Sequence, residues 1–269
     1  MVNRFSDGSA GDANYGAIGE GYAAIRQPDP RIAKPFHAAL GDAKTVLNVG
    51  AGAGSYEPVD REVTAIEPSA SMRAQRPAHL SRAIDATADS LPFDDGTFDA
   101  AMASVTVHQW PDLERGLGEM RRVTTGPIAI LTFDPVAPEH WWLMDYSPEV
   151  FAVEARRMPA LDRIGAALGG EVEIQTVMIP VDSTDGFGQA FFGRPERVLD
   201  PAVRRAMSAW SFVEPAAVER FETELRRDLE SGAWDEKYGS FRELPEFDGG
   251  LRLVISRPEA TAPATGTVA

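Results

Sequence analysis

The chain has no cysteine, so disulfides, thiolate metal sites and cysteine nucleophiles are excluded. Its four histidines, at 37, 79, 108 and 140, are scattered, and none stands at a metal-ligand spacing from another. A metal site of the zinc type is therefore not expected. No stretch approaches the ~20 apolar residues of a membrane span. The first residues, Met1 to Gly11, lack the apolar centre of a signal peptide. Basic runs never exceed two residues, and the net charge is −15, from 26 basic and 41 acidic side chains. A surface of that sign repels phosphate backbones and anionic membrane faces. The expectation is a cytoplasmic protein with neither nucleic acid nor membrane as partner; the composition leaves the oligomeric state open.

What is present suffices for one full-sized α/β domain with a small addition: 269 residues, 43% of them hydrophobic. Residues 1–14, rich in Gly, Ser, Asp and Asn, read as a flexible N-terminus, and 258–269 as a flexible tail. Between them, short apolar runs at 45–49, 62–66, 98–105, 127–133, 172–179 and 251–255 read as strands. Leu113, Leu117, Met120 and Val123 share a helical face, with Asp112 at the N-cap position. Val218, Phe221, Leu225 and Leu229 form a second stripe after Pro215. Strands separated by helices predict a doubly wound, mostly parallel Rossmann-like sheet, with ligands at the carboxyl ends of its strands.

The first strand runs into Gly50-Ala51-Gly52-Ala53-Gly54. Closely spaced glycines let a ligand approach the backbone, and the strand-to-helix turn offers its N–H groups. The second strand ends at Glu67, where a carboxylate can accept both hydroxyls of a ribose. The plain alternative is a surface acid before the Pro68 turn. A dinucleotide fingerprint asks for glycine or alanine at position 55; here it is Ser55, and the third glycine comes one residue early.

Four motifs then follow in one order: Val46-Leu-Asn-Val-Gly-Ala-Gly-Ala-Gly54, Ala65-Ile-Glu-Pro-Ser69, Ala88-Asp-Ser-Leu-Pro-Phe-Asp-Asp-Gly-Thr-Phe-Asp99 and Val107-His-Gln-Trp110. Together they resemble the class I S-adenosylmethionine-dependent methyltransferases, in particular the type 11 subgroup. The resemblance implies S-adenosylmethionine as cofactor, with S-adenosylhomocysteine as product. It implies that Gly50, Ala51, Gly52 and Gly54 line the methionine and ribose part, that Glu67 binds the ribose, and that Met72 packs near the adenine. Thr87, Ala88 and Asp89, before the Leu91-Pro92-Phe93 corner, would meet the adenine edge, and Ser104, at the end of the third strand, would be a further cofactor contact. Whether Thr87 or Asp89 makes the adenine contact stays open. Asn48 departs from the acid common in relatives. Upstream, Tyr15, Tyr22 and Arg26 resemble a lid helix, with Arg26 suited to the methionine carboxylate; the alternative is an exposed helical arginine.

Methyl transfer needs an aligned acceptor, and a base only if a proton must leave. His108 is the first base candidate and Tyr15 the second; the alternative for His108 is structural packing beside Trp110. The run Glu139-His-Trp-Trp-Leu-Met-Asp-Tyr146 suggests Trp141, Trp142 and Tyr146 as substrate contacts, or else as core. The expected layout is a cofactor core over 15–181 with its lid, a helical substrate cap over 182–250 and a final strand at 251–257. Such a cap favours a small organic acceptor, methylated by in-line displacement. Three other readings stand beside this one: binding or use of S-adenosylmethionine without methyl transfer, a nicotinamide oxidoreductase, and a partner-binding module with a degenerate site.

Overall fold

A computed structural model describes residues 5–18, 21–136 and 141–259. The chain begins with three helices, α1 (Tyr15–Ile18), α2 (Tyr22–Ile25) and α3 (Pro30–Ala39). The central part alternates: β1 (Thr45–Val49), β2 (Glu62–Ile66), α4 (Ala70–Ala74), β3 (Ala100–Ser104), α5 (Leu113–Val123), β4 (Ile128–Phe133), α6 (Leu143–Tyr146), α7 (Pro148–Arg157), α8 (Leu161–Leu168) and β5 (Glu171–Thr176). A short strand, β6 (Ile179–Pro180), precedes α9 (Pro201–Arg205), α10 (Pro215–Ser231), α11 (Ala233–Tyr238) and α12 (Ser240–Glu243). Two strands, β7 (Glu246–Phe247) and β8 (Leu251–Arg257), close the fold.

The main sheet has six strands in the order β2-β1-β3-β4-β8-β5. Pairs among β2, β1, β3 and β4 are parallel, and β8 runs antiparallel to both neighbours. The mostly parallel sheet therefore holds, with one reversed strand. Every residue of β4 is buried, as expected of a strand covered on both faces. One face packs against α5 and α8 through Leu117, Met120 and Ile164. The other packs against α3 and the 182–250 stretch through Phe36, Trp142, Phe221 and Trp234. No described helix is long and apolar enough to cross a membrane.

Two strands differ from the sequence expectation. The 98–105 strand is trimmed to Ala100–Ser104, and its carboxyl end is cut where Val105 turns to φ 49, a conformation that β-branched residues rarely adopt. The 172–179 strand splits into β5 and β6, the latter pairing with β7. That two-stranded ribbon brings the two ends of the 182–250 stretch together.

Residues 5–14 are not a loose leader. The Asp7 carboxylate accepts hydrogen bonds from Ser9, from the Ser69 hydroxyl (2.7 Å) and from the Ser71 hydroxyl (3.0 Å). Gly11 passes so close to the Gln109 carbonyl that a Cβ there would lie 2.0 Å from its oxygen. The Gly, Ser and Asp that suggested flexibility serve here for close approach and side-chain hydrogen bonding. In the expected tail, residues 260–269 lie outside the described residues.

Candidate active site

A first cavity, about 850 Å³ including solvent at its mouth, opens where β1, β2 and β3 end. Its floor is the glycine loop. Gly50 has φ 71, and a Cβ there would sit 2.3 Å from the Thr106 hydroxyl, so no side chain fits. Glu67 stands at the end of β2 and is buried; its two oxygens accept from the backbone N–H groups of Gly52 and Ser69, each at 2.8 Å. Burial pushes its carboxyl above the ordinary glutamate value, and those two N–H groups oppose the rise. Ser69 caps α4 by accepting from Met72 N, which sets Met72 in the wall. On the opposite side lie Thr87, Ala88 and Asp89. The corner after them is braced: Leu91 N donates to Glu119, and Arg122 donates to the carbonyls of Leu91 and Phe93. Asp89 Oδ1 is buried with no partner among the described residues.

A second cavity, about 1130 Å³ on the same measure, adjoins the first. Tyr15, Tyr22 and Val105 line both, so these three form the seam. The two tyrosine rings meet edge to face at 6.1 Å. The backbone strain at Val105 is thus placed between the two spaces. The second cavity is walled by Phe133, Trp141, Phe151 and Phe187, with Arg26, His108 and Glu154 as its ionisable groups beside the tyrosines and Asp134.

Most expected cofactor residues face the first cavity: Tyr22, Gly50, Ala51, Gly52, Glu67, Met72, Thr87, Ala88, Asp89 and Ser104. Two do not. Gly54 lies behind the loop, against Leu80 and Arg76. Arg26 is buried in an ion pair with Asp185, also donates to the Tyr22 hydroxyl (3.1 Å), and borders the second cavity instead. Burial opposes its charge, but Asp185 holds the guanidinium protonated, so it is committed within the protein. Asn48 is also withdrawn from the cavity, donating its amide to Glu57 at 3.0 Å.

Of the base candidates, Tyr15 borders both cavities, but burial drives its hydroxyl pKa far up, so it stays protonated. His108 borders the second but not the first. Burial, with the nearby cations Arg157 and Arg26, pulls its pKa down to about 3. The Gln109 amide, turned to satisfy its neighbours, accepts from His108 Nε2 at 2.8 Å and from Arg157. That leaves Nδ1 as a buried lone pair without a partner. Of the substrate candidates, Trp141 borders the second cavity; Trp142 and Tyr146 border neither. Trp142 is wholly buried, donates to the Phe192 carbonyl at 2.9 Å and packs on Trp234. Tyr146 donates to Asp228 at 2.8 Å. Both join the insertion to the core. Glu139 and His140 lie outside the described residues.

A methyltransferase-domain family model (type 11) matches residues 47–126, the stretch that builds the first cavity. A solved structure from Anabaena variabilis, described as a methyltransferase from an antibiotic biosynthesis pathway, is 30% identical. That comparison covers 86% of this chain and 98% of the other, with a TM-score of 0.81. The chain belongs to the class I S-adenosylmethionine-dependent methyltransferases. A Bacillus subtilis protein, the uncharacterized methyltransferase YcgJ, is 30% identical over 105 residues, covering 35% of this chain and 42% of that protein. A Haemonchus contortus phosphoethanolamine N-methyltransferase, solved with S-adenosyl-L-methionine, shares the fold at 12% identity and a TM-score of 0.53, over 92% of this chain and 58% of that one.

The methyltransferase's cofactor is S-adenosylmethionine, and the first cavity fits it. The glycine floor admits close approach, Glu67 keeps spare acceptor capacity for a diol, and Asp89 Oδ1 is an acceptor awaiting a donor such as the adenine amino group. One ionisable group of the second cavity escaped the sequence reading: Glu154, in its wall. A signal existed. Val150, Glu154 and Met158 follow one another at four-residue steps, and Val150 and Met158 are buried. An acid in the middle of an apolar stripe is a mark of function more often than of packing.

Proposed function

We propose that this methyltransferase transfers the methyl group of S-adenosylmethionine to a small organic acceptor held in the second cavity. The observation that carries this reading is the shared seam: Tyr15, Tyr22 and Val105 wall both cavities, so a cofactor on one side and an acceptor on the other meet there. The 182–250 stretch acts as the acceptor's cap. It contributes Phe187, Gln189 and Met207 to the second cavity, leaving a space of small-molecule size with largely apolar walls. A polymer's surface would not enter it.

Within the first cavity, Glu67 holds the ribose hydroxyls, Asp89 takes the adenine amino group, and the backbone of Gly50 to Gly52 runs beneath the methionine part. The bound cofactor supplies a methyl carbon on a sulfonium, already activated for displacement. The protein's part is alignment and exclusion of water. Tyr15 and Tyr22, protonated and packed edge to face, narrow the passage so that acceptor and methyl carbon meet in line.

The test is a labelled-methyl experiment: the protein, S-adenosylmethionine labelled in its methyl group, and fractionated cell extract. Label is expected among small metabolites. Label confined to protein or nucleic acid would overturn the reading. Calorimetry with S-adenosylmethionine and with NAD checks the cofactor separately.

A further inference from the structure

Resting on the second cavity as the acceptor site, we propose that Glu154 is the general base of the transfer and that the acceptor offers a phenolic or enolic hydroxyl on an apolar ring. Glu154 projects from α7 into a wall otherwise made of Trp141, Phe151 and Met158. Its backbone carbonyl accepts from Met158 N, but its carboxylate has no hydrogen bond or ion pair among the described residues. Glu154 is half-buried, and its carboxyl opens onto the cavity unspent, which suits proton transfer with a ligand better than a structural role.

The groups around it set its character. Arg157, on the same helix, is engaged by Asp12 at 2.7 Å and by Ser208 at 3.0 Å. Arg26, from the end of α2, is engaged by Asp185. Tyr15 and Tyr22 face the cavity from α1 and α2, His108 from the turn after β3, and Asp134 from the end of β4. Burial dominates this balance: it lifts the Glu154 carboxyl to about 7, with Arg157 and Arg26 pulling down and Asp12 pushing up. His108, which shares the cavity, is down at about 3. Of the two, only Glu154 matches a base working near neutrality.

The acceptor class follows from the walls and from this base. Most of the cavity's lining is apolar and both arginines are already paired with acids, so a neutral acceptor, which gives up little hydration on entering, is favoured over an ammonium. A phenol, with a pKa near 10, lies about three units above Glu154, a gap that a positioned base can bridge. An aliphatic alcohol lies much further off. In the step, the Glu154 carboxylate takes the hydroxyl proton and the oxygen's electron pair forms the bond to the methyl carbon. The carbon–sulfur bond breaks, leaving a methyl ether, a neutral thioether and a protonated Glu154 that returns its proton to water. A carboxylate and a sulfonium are both neutralised, which a cavity of low polarity favours.

The experiment uses phenol, catechol and 1-naphthol beside benzylamine as acceptors, with wild type, E154Q, E154D and H108N. Wild type should methylate the hydroxyl compounds, with kcat/KM rising as pH increases and levelling above about 7, because the base must be deprotonated. E154Q should lose about a hundredfold or more in kcat. It should lose the pH inflection and keep wild-type S-adenosylmethionine affinity by calorimetry, since Glu154 does not border the cofactor cavity. E154D should recover part of the rate with its inflection, and H108N should keep the inflection. The proposal is overturned if E154Q stays within a few-fold of wild type, if the inflection disappears in H108N but survives in E154Q, or if wild type prefers benzylamine or methylates none of the hydroxyl compounds. Those results leave the small-acceptor reading standing, because that reading falls only when the extract experiment sends label to macromolecules.

Discussion

The two cavities share a wall and are built by different means. The first is made largely from one stretch of chain, Gly50 to Asp112, and much of its lining is backbone or small side chains. The second is made mostly of side chains drawn from Tyr15 to Ala209: from the N-terminal helices, the carboxyl ends of β3 and β4, α7 and the 182–250 stretch. A cofactor common to many enzymes can be held by a fixed backbone turn and one carboxylate. An acceptor particular to one enzyme needs a shape and a local acidity that only assembled side chains supply. The electrostatics show the same division. Glu67 spends its charge on two backbone N–H groups, whereas Glu154, on the other side of the seam, has no such partner.

That contrast can be broken at its strongest point first. Replacing Gly50 with valine forces a β-branched residue into positive φ, at about 1–3 kcal/mol, and adds a clash with Thr106. S-adenosylmethionine affinity should fall by at least about a hundredfold in calorimetry. A Gly50→Val protein that binds normally would show that the floor is not backbone-limited. Next comes Trp142→Ala, which empties a fully buried site beside Tyr146, Trp234 and the Phe192 carbonyl. It should destabilise the fold by about 3–5 kcal/mol in denaturant unfolding. The folded fraction should still bind S-adenosylmethionine as wild type does; a change in intrinsic cofactor affinity would mean that the two regions are coupled through the core. The smallest effect is expected for Asp7→Ala, which frees the N-terminal segment from Ser69 and Ser71. Losing about 1 kcal/mol of docking should weaken S-adenosylmethionine binding about fivefold and expose residues near Gly11 to limited proteolysis. If protease sensitivity rises with no change in affinity, the segment belongs to neither cavity.

Legibility followed the range of the interactions. Thr45–Val49, the glycine loop, Glu67, the Asp112 cap and the α5 stripe could be read because each rests on neighbours a few residues away. Arg26 was misplaced because its partner, Asp185, is 159 residues distant and nothing near Arg26 announces it. Trp142 and Tyr146 stay open between substrate contact and core in the sequence, because aromatic and acidic residues after a strand look alike whether they face a ligand or Trp234 and Asp228. Residues 5–14 were read as loose because the residues that favour disorder also allow close packing, and composition cannot tell which use applies.

By itself, then, the sequence determined the α/β sheet, the glycine floor, the carboxylate at the end of the second strand and the S-adenosylmethionine family they announce. Each is a local consequence of strand length, backbone freedom and spacing. Only the tertiary structure decided which tyrosines stand at the seam, that His108 is held neutral, and that Glu154 is left unpaired in an aromatic wall. A pKa and a cavity depend on what surrounds a group in space, and the surroundings of Glu154 come from segments more than a hundred residues apart in the chain.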